Sequence, residues 1–226
     1  MPALPPDWAD EVRRMLLAEE AIPSDWALLI DDLRLERAPP LLRATGLKVL
    51  TGLTRLSLKL SRVEDIAPLA GLTGLRSLIL SLTPVEDISP LAELTRLESL
   101  YLTGSAVSDL APLAGLIRLE RLDLGGTQVR DLSPLAGLVR LRSLELSTTR
   151  VVDLRPLAGL TALEFLDLGD TLVADVSPLA GLTRLRRLDA RGAPVSDLSM
   201  LQAGLPAGCE IVSAASFRRL RRAGRR

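Results

Sequence analysis

The chain has 226 residues, 47% of them hydrophobic but only 2% aromatic, with 28 basic and 28 acidic residues and a formal net charge of zero. That is enough apolar material for a sizeable core in one extended domain or two small ones, built from Leu, Val, Ile and Ala rather than rings, with no overall charge bias toward nucleic acid or membrane. Histidine is absent and Cys209 is the single cysteine, which removes Ser-His-Asp and Cys-His nucleophiles, the commonest zinc ligand and any intramolecular disulfide.

The chain opens on MPALPPDWADEVRR, which lacks the basic stretch and apolar run of a secretory signal. No stretch approaches eighteen uncharged apolar residues. With one thiol, these features lead us to expect a cytoplasmic protein. Asp7 to Glu20 reads as an amphipathic helix with Trp8, Val12 and Leu16 on one face. Leu33 and Leu35 read as an irregular first strand, 23 residues before Leu56 and Leu58. Residues 1–48 are thus expected to form an N-terminal helical cap and an irregular first repeat.

From residue 49 a single unit recurs. Leu78, Leu100, Leu122, Leu144, Leu166 and Leu188 are each 22 residues apart, as are Leu80, Leu102, Leu124, Leu146 and Leu168. The unit at 71–92 reads GLTGLRSLILSLTPVEDISPLA, and seven such units cover 49–202. Alternation in RSLILS predicts a short strand with one buried face. Val85 should point inward after the turn. Pro90 suits the first turn of a short helix, and Ser89 is expected to cap it. The repeating Asp65, Asp87, Asp109, Asp131, Asp153, Asp175 and Asp197 each precede an apolar residue and a Pro turn. There a carboxylate can accept a backbone N–H, so this ladder reads as structural rather than as a calcium array. One unit cannot bury its own leucines, so neighbouring units must stack and their strands align in one parallel sheet.

The pattern LxxLxxLxLxxTxVxDLxPLAG resembles the 22-residue leucine-rich repeats of internalins and related bacterial proteins, over about two thirds of the chain. The resemblance implies an α/β fold: a right-handed leucine-rich-repeat solenoid, or horseshoe. One curved parallel sheet would line its concave side and short helical or 3-10 turns its convex side. Where the family usually places Asn, this chain has Ser61, Thr83, Ser105, Thr127, Thr149, Thr171 and Ala193. Hydroxyls can still bond to backbone at that turn, with fewer donors.

Outward positions are where the repeats differ. The middle one on successive strands runs Arg34, Ser57, Ile79, Tyr101, Asp123, Glu145, Asp167 and Asp189. Like charges side by side on a sheet are mildly destabilising, and folding alone offers no reason for them. Flanking positions add Phe165, Arg121, Arg187 and Arg191. Three readings stand: a solvated face, a docking surface for a protein with basic and apolar contacts, and a catalytic carboxylate pair. An open sheet offers no closed pocket for the last. The expected partner-binding residues are Ile79, Tyr101, Asp123, Glu145, Phe165, Asp167 and Asp189. No glycine-rich phosphate loop, cofactor motif or metal-ligand spacing is present, so a non-enzymatic interaction scaffold is expected.

Residues 203–226 read as a C-terminal cap and basic tail. LPAGCEIV (205–212) resembles a truncated last repeat, with Cys209 as a small buried apolar group. Arg218, Arg219, Arg221, Arg222, Arg225 and Arg226 follow without an acid. They are either a solvated end or a contact for nucleic acid or an acidic partner, the alternative function. Phe217 is the lone aromatic there, and no DNA-binding module accompanies it.

Overall fold

The structure, a computed structural model, describes residues 6–18, 20, 22, 23, 26, 32–35, 50, 52–195, 204–206 and 208–213. Nine short strands form one sheet in chain order: β1 (Asp32–Arg34), β2 (Arg55–Ser57), β3 (Ser77–Ile79), β4 (Ser99–Tyr101), β5 (Arg121–Asp123), β6 (Ser143–Glu145), β7 (Phe165–Asp167), β8 (Arg187–Ala190) and β9 (Glu210–Ser213). Every neighbouring pair is parallel. The central leucines sit opposite one another from Leu33↔Leu56 through Leu122↔Leu144 to Leu166↔Leu188. The sheet therefore has one strand more than the eight-strand face expected from the repeats. The truncated last repeat supplies β9, with Ile211 opposite Leu188.

Each full coil turns inward at seven apolar positions. In one of them Leu113, Leu116, Leu119, Leu122, Leu124, Val129 and Leu132 are all 1% exposed or less. The next coil repeats the set, so each leucine meets its own kind above and below. The inward side chains leave no room for rings, and no aromatic residue is fully buried among the described residues.

At the start, a single helix, α1 (Trp8–Leu17), buries Val12 and Leu16 in the same core cluster, with Trp8 partly buried against it. The i, i+4 spacing of Trp8, Val12 and Leu16 is what lets one helix face meet the core.

Opposite the sheet the chain makes one 3-10 turn per coil, for example Ala111–Leu113 and Ser133–Leu135, each with Pro near its start. Ser89 was expected to cap its turn; it does not, since no side chain caps the N-terminal residue Ile88. The cap comes from the aspartate two residues earlier. Asp87 Oδ1 accepts the Ser89 N–H at 2.8 Å, and Asp65, Asp109, Asp131, Asp153 and Asp175 do the same for Ala67, Ala111, Ser133, Arg155 and Ser177. The ladder is structural through residue 175; Asp197 lies outside the described residues. These bonds hold the Asp87, Asp131, Asp153 and Asp175 carboxyls below their usual range. The Ser89 N–H matters most for Asp87, and the side chains of Ser133, Arg155 and Ser177 matter most for the others.

The hydroxyl column divides by residue type. Thr83, Thr127, Thr149 and Thr171 each donate to the carbonyl three residues back, at 2.6 or 2.7 Å. The Ser61 and Ser105 hydroxyls are buried and find no partner among the described residues. A β-branched threonine is stiff about χ1, which holds its oxygen over that carbonyl, whereas serine has no second substituent to fix it.

Two stability measurements follow. Leu144→Ala should lower the unfolding free energy by about 2–5 kcal/mol, the range for well-packed core leucines. A loss below about 0.5 kcal/mol in denaturant titration, within the scatter of ordinary surface substitutions, would contradict the stacked core. Ser105→Thr should raise stability by about 1 kcal/mol, because it supplies the missing bond between two coils that already hold threonine. An unchanged denaturation midpoint would show that this hydroxyl is satisfied some other way.

Candidate functional site

The outward column of the sheet is assembled by the strand register. Asp32–Arg34 to Arg187–Ala190 pair so that Arg34, Ser57, Ile79, Tyr101, Asp123, Glu145, Asp167 and Asp189 stand opposite one another in turn. Val212 of β9 extends the row beside Asp189. Parallel strands lie about 4.8 Å apart, so four acids form one continuous line.

Their environments differ. Asp189 is 5% exposed and held by Arg191, whose Nε donates to Oδ1 at 2.9 Å and to Oδ2 at 3.0 Å. Burial by itself raises the Asp189 carboxyl, but the hydrogen bonds and charge of Arg191, with Arg187 farther off, carry the net direction downward. Asp167 and Asp123 are half-buried. Asp167 accepts the Gly169 N–H at 2.7 Å, and Asp123 accepts the Gly125 N–H at 3.0 Å and the Thr103 hydroxyl at 2.6 Å. A Cβ at Gly169 would come within 3.0 Å of the Asp167 oxygen, so glycine there clears the carboxylate's approach. Three of the four acids therefore do have a folding role, which residue spacing did not disclose: each caps a backbone N–H where the chain leaves its strand.

Glu145 is the exception. It is exposed, and its side chain makes no hydrogen bond or ion pair among the described residues. Burial, then the charges of Asp123 and Asp167, push its carboxyl upward. The Asp167 carboxyl is also raised, by burial foremost and by Asp189, against the opposing Gly169 bond and the two arginines.

Of the three flanking arginines, Arg187 and Arg191 both face Asp189, at 4.0 and 2.7 Å. Arg121 instead donates to the Ser99 hydroxyl at 3.5 Å. Phe165, beside Glu145 and Asp167, is 46% exposed. It lines a cavity of about 300 Å³ with Glu145, Asp167, Arg187, Asp189 and Arg191. Ile79 and Tyr101 continue the column as half-buried apolar groups. The face thus passes from the polar Arg34 and Ser57 on β1 and β2, through Ile79 and Tyr101 on β3 and β4, to the acids on β5 to β8.

A second charged column went unnoticed in the sequence. Just before the strands, Arg76 pairs with Glu98 at 2.8 Å, and Glu120, Arg142, Glu164 and Arg186 form a chain at 3.8, 3.2 and 3.4 Å. Opposite charges recurring at 22-residue spacing, interrupted where Glu98 precedes Glu120, were the available signal. The column borders a larger cavity, about 650 Å³, lined also by Pro206 and Cys209. Burial foremost, then the Glu210 charge, raises the Cys209 thiol and keeps it protonated. The arginines at 218–226 lie outside the described residues. So does any contact they make. Among the described residues no group of three or more His, Cys, Asp or Glu side chains is placed to hold a metal ion, and no helix is long and apolar enough to cross a membrane.

The raised carboxyls carry a sign. A carboxyl whose folded pKa exceeds its unfolded one destabilises the fold when ionised, fully above the folded pKa and not at all below the unfolded one. Glu145→Gln should therefore raise the unfolding free energy at pH 7 by a few tenths of a kcal/mol, on the order expected for relieving like-charge neighbours on a sheet. That gain should vanish as pH falls below about 4. A gain that is constant with pH, read from thermal melts at pH 3.5 and 7, would assign it to packing instead.

A scan against protein families matches none, and a comparison with curated proteins finds no relative. Solved structures do match. An internalin (inlF) from Listeria monocytogenes is 31% identical with a TM-score of 0.78, over 91% of this chain; the chain spans only 63% of that protein's length. Internalin C2 from the same organism is 30% identical with a TM-score of 0.79, over 92% of this chain and 93% of its own. A leucine-rich-repeat protein of Leptospira interrogans, 19% identical with a TM-score of 0.65 over 84% of this chain and 57% of its own, shares the fold. The 30% identity to internalin C2 across nearly the whole of both chains, on a nine-stranded sheet of 22-residue coils, places this chain in the internalin-like family of bacterial leucine-rich-repeat proteins.

Proposed function

We propose that the protein is a non-catalytic interaction scaffold that binds a protein partner on its concave sheet face. The contacts would come from Ile79, Tyr101, Asp123, Glu145, Phe165 and Asp167, with Asp189 as a fixed, arginine-held margin. One observation carries this reading. Tyr101, half-buried, stands in register with an exposed Glu145 that has no partner among the described residues, and Phe165 projects beside them. Aromatic groups flanked by unpaired charge are the usual material of an interface anchor. Nine strands at about 4.8 Å make a face roughly 40 Å long, able to bury on the order of 800 Å² per partner. The acidic stripe selects for a basic partner surface, and the apolar stretch at Ile79 and Tyr101 selects for exposed aliphatic or aromatic groups. The lone thiol, Cys209, supports a reducing compartment, and we place the protein in the cytoplasm. The contact of Arg218–Arg226 with nucleic acid or an acidic partner gains no support from the described residues.

Surface plasmon resonance on a captured partner tests the face. Tyr101→Ala should speed dissociation at least tenfold, the loss expected when an anchor worth about 2 kcal/mol is truncated. Asp123→Asn combined with Glu145→Gln should chiefly slow association at low salt, with little effect at high salt. Unchanged on- and off-rates in all these variants would move the binding surface to the 3-10 side or the ladder edge.

A further inference from the structure

We infer that the N-terminal end of the sheet face, over β1, β2 and β3, is a carboxylate-binding site, where Arg34 and Arg55 grip an Asp or Glu side chain of the partner above the buried hydroxyl of Ser57. The site deepens the sheet-face reading, which it rests on for the source of the carboxylate, and its test begins without a partner.

A hydroxyl left over by folding is the first support. Ser57 is 6% exposed, and its Oγ is buried with no hydrogen-bond partner among the described residues. A buried polar group in that state costs stability until something satisfies it. Ser57 stands in the outward column between Arg34 and Ile79, and it lines a cavity of about 440 Å³ with Asp32, Arg34, Arg55, Ser77 and Ile79.

Unspent donors are the second. Arg55 Nε donates to Asp32 Oδ2 at 3.3 Å, and Arg34 stands 3.8 Å from that same oxygen. One loosely held oxygen is thus shared by two guanidinium groups, whereas Arg191 holds Asp189 at 2.7 Å. The terminal amino groups of Arg55 and every N–H of the Arg34 side chain lack an acceptor at hydrogen-bond distance among the described residues. Guanidinium forks match the paired oxygens of a carboxylate.

Charge selects the ligand. The cavity lining sets two arginines against one aspartate, a surplus of one positive charge. A singly charged carboxylate neutralises that surplus, whereas a phosphoryl dianion would face Asp32 with charge to spare. Ile79 offers an apolar wall to the methylenes of a glutamate. Both arginines have room to move onto a ligand and open the way to the hydroxyl, with side chains 74% and 57% exposed. Ser57 on β2 and Glu145 on β6 are four strands apart, about 19 Å. A partner that uses both ends presents its acid and its base at that separation, which fixes the direction in which it lies.

Titration of the isotope-labelled full chain with acetyl-Gly-Glu-Gly-amide, followed by nuclear magnetic resonance, tests the site. The Nε–H signals of Arg34 and Arg55 and the Ser57 N–H signal should shift saturably, with a Kd on the order of millimolar. The Gln counterpart of the peptide should shift none of them. Ser57→Ala should weaken binding roughly tenfold, the loss of one hydrogen bond to a charged group. Its thermal midpoint should stay level or rise, because the hydroxyl has no bond in the fold to lose. Arg55→Gln should weaken the peptide at least as much, and Arg55→Lys should recover only part of the loss. Equal shifts at Arg76 and Arg142, binding that does not saturate, a Ser57→Ala variant that binds like the parent, or tighter binding of the phosphoserine peptide overturns the inference. On a captured partner, Arg34→Gln with Arg55→Gln should speed dissociation about tenfold, in line with the loss of a hot-spot arginine; unchanged rates overturn the assignment of the carboxylate to the partner. If the peptide fails to bind while Tyr101→Ala still speeds partner release, the carboxylate site is lost and the docking face stands.

Discussion

Everything in this molecule depends on the fact that one 22-residue coil cannot bury its own seven apolar side chains. A three-residue strand and a 3-10 turn enclose no volume, so the leucines of one coil are covered only by those of the next. The backbone obeys the same constraint. Leu102 donates to the Asp123 carbonyl and Leu124 to that of Glu145, each at 2.8 Å, so each strand is completed by its successor. Stability is shared between neighbours, and the same register that seals the core also sets every outward residue beside its counterpart one coil away.

That enforced adjacency makes each outward column a separate design problem. The aspartates of the 3-10 side answer it locally, by capping, and hardly meet each other. The column from Arg76 to Arg186 answers it with opposite-sign pairs, interrupted where Glu98 precedes Glu120. Its arginines are exposed and its glutamates half-buried, so each pair is worth about 1 kcal/mol or less. The middle column of the sheet answers it only in part. Asp123 and Asp167 each give one oxygen to a backbone N–H, Asp123 gives the other to the Thr103 hydroxyl, and Glu145 stands exposed between them.

Most of the architecture could be read from the residues because a single period governs it. The spacing of Leu78, Leu100 and Leu122 announced the strands, and the 23-residue step from Leu33 to Leu56 placed the first one correctly. Two details could not be read that way. Ser89 looked like the cap because it occupies the usual sequence position, but the backbone of this turn aims its N–H at the preceding aspartate. The middle acids looked gratuitous for folding because a period-2 strand pattern says nothing about where the chain bends after the strand; it bends so that the N–H of Gly125, Gly169 and Arg191 points back at them. The half-buried and exposed residues of the face were legible as a column, but their pairing was not: Arg121 reaches Ser99 on the preceding coil, whereas Arg191 turns back onto Asp189 of its own.

The aliphatic core has an optical consequence. Both tryptophans, Trp8 and Trp26, sit partly buried at the N-terminal end, and seven coils of leucine and valine beyond them absorb nothing above 250 nm except through Tyr101 and Phe165. Intrinsic fluorescence is therefore a local reporter, sensitive to the first coils, while the far-ultraviolet signal averages the entire array. The fold has, in effect, labelled one of its own ends.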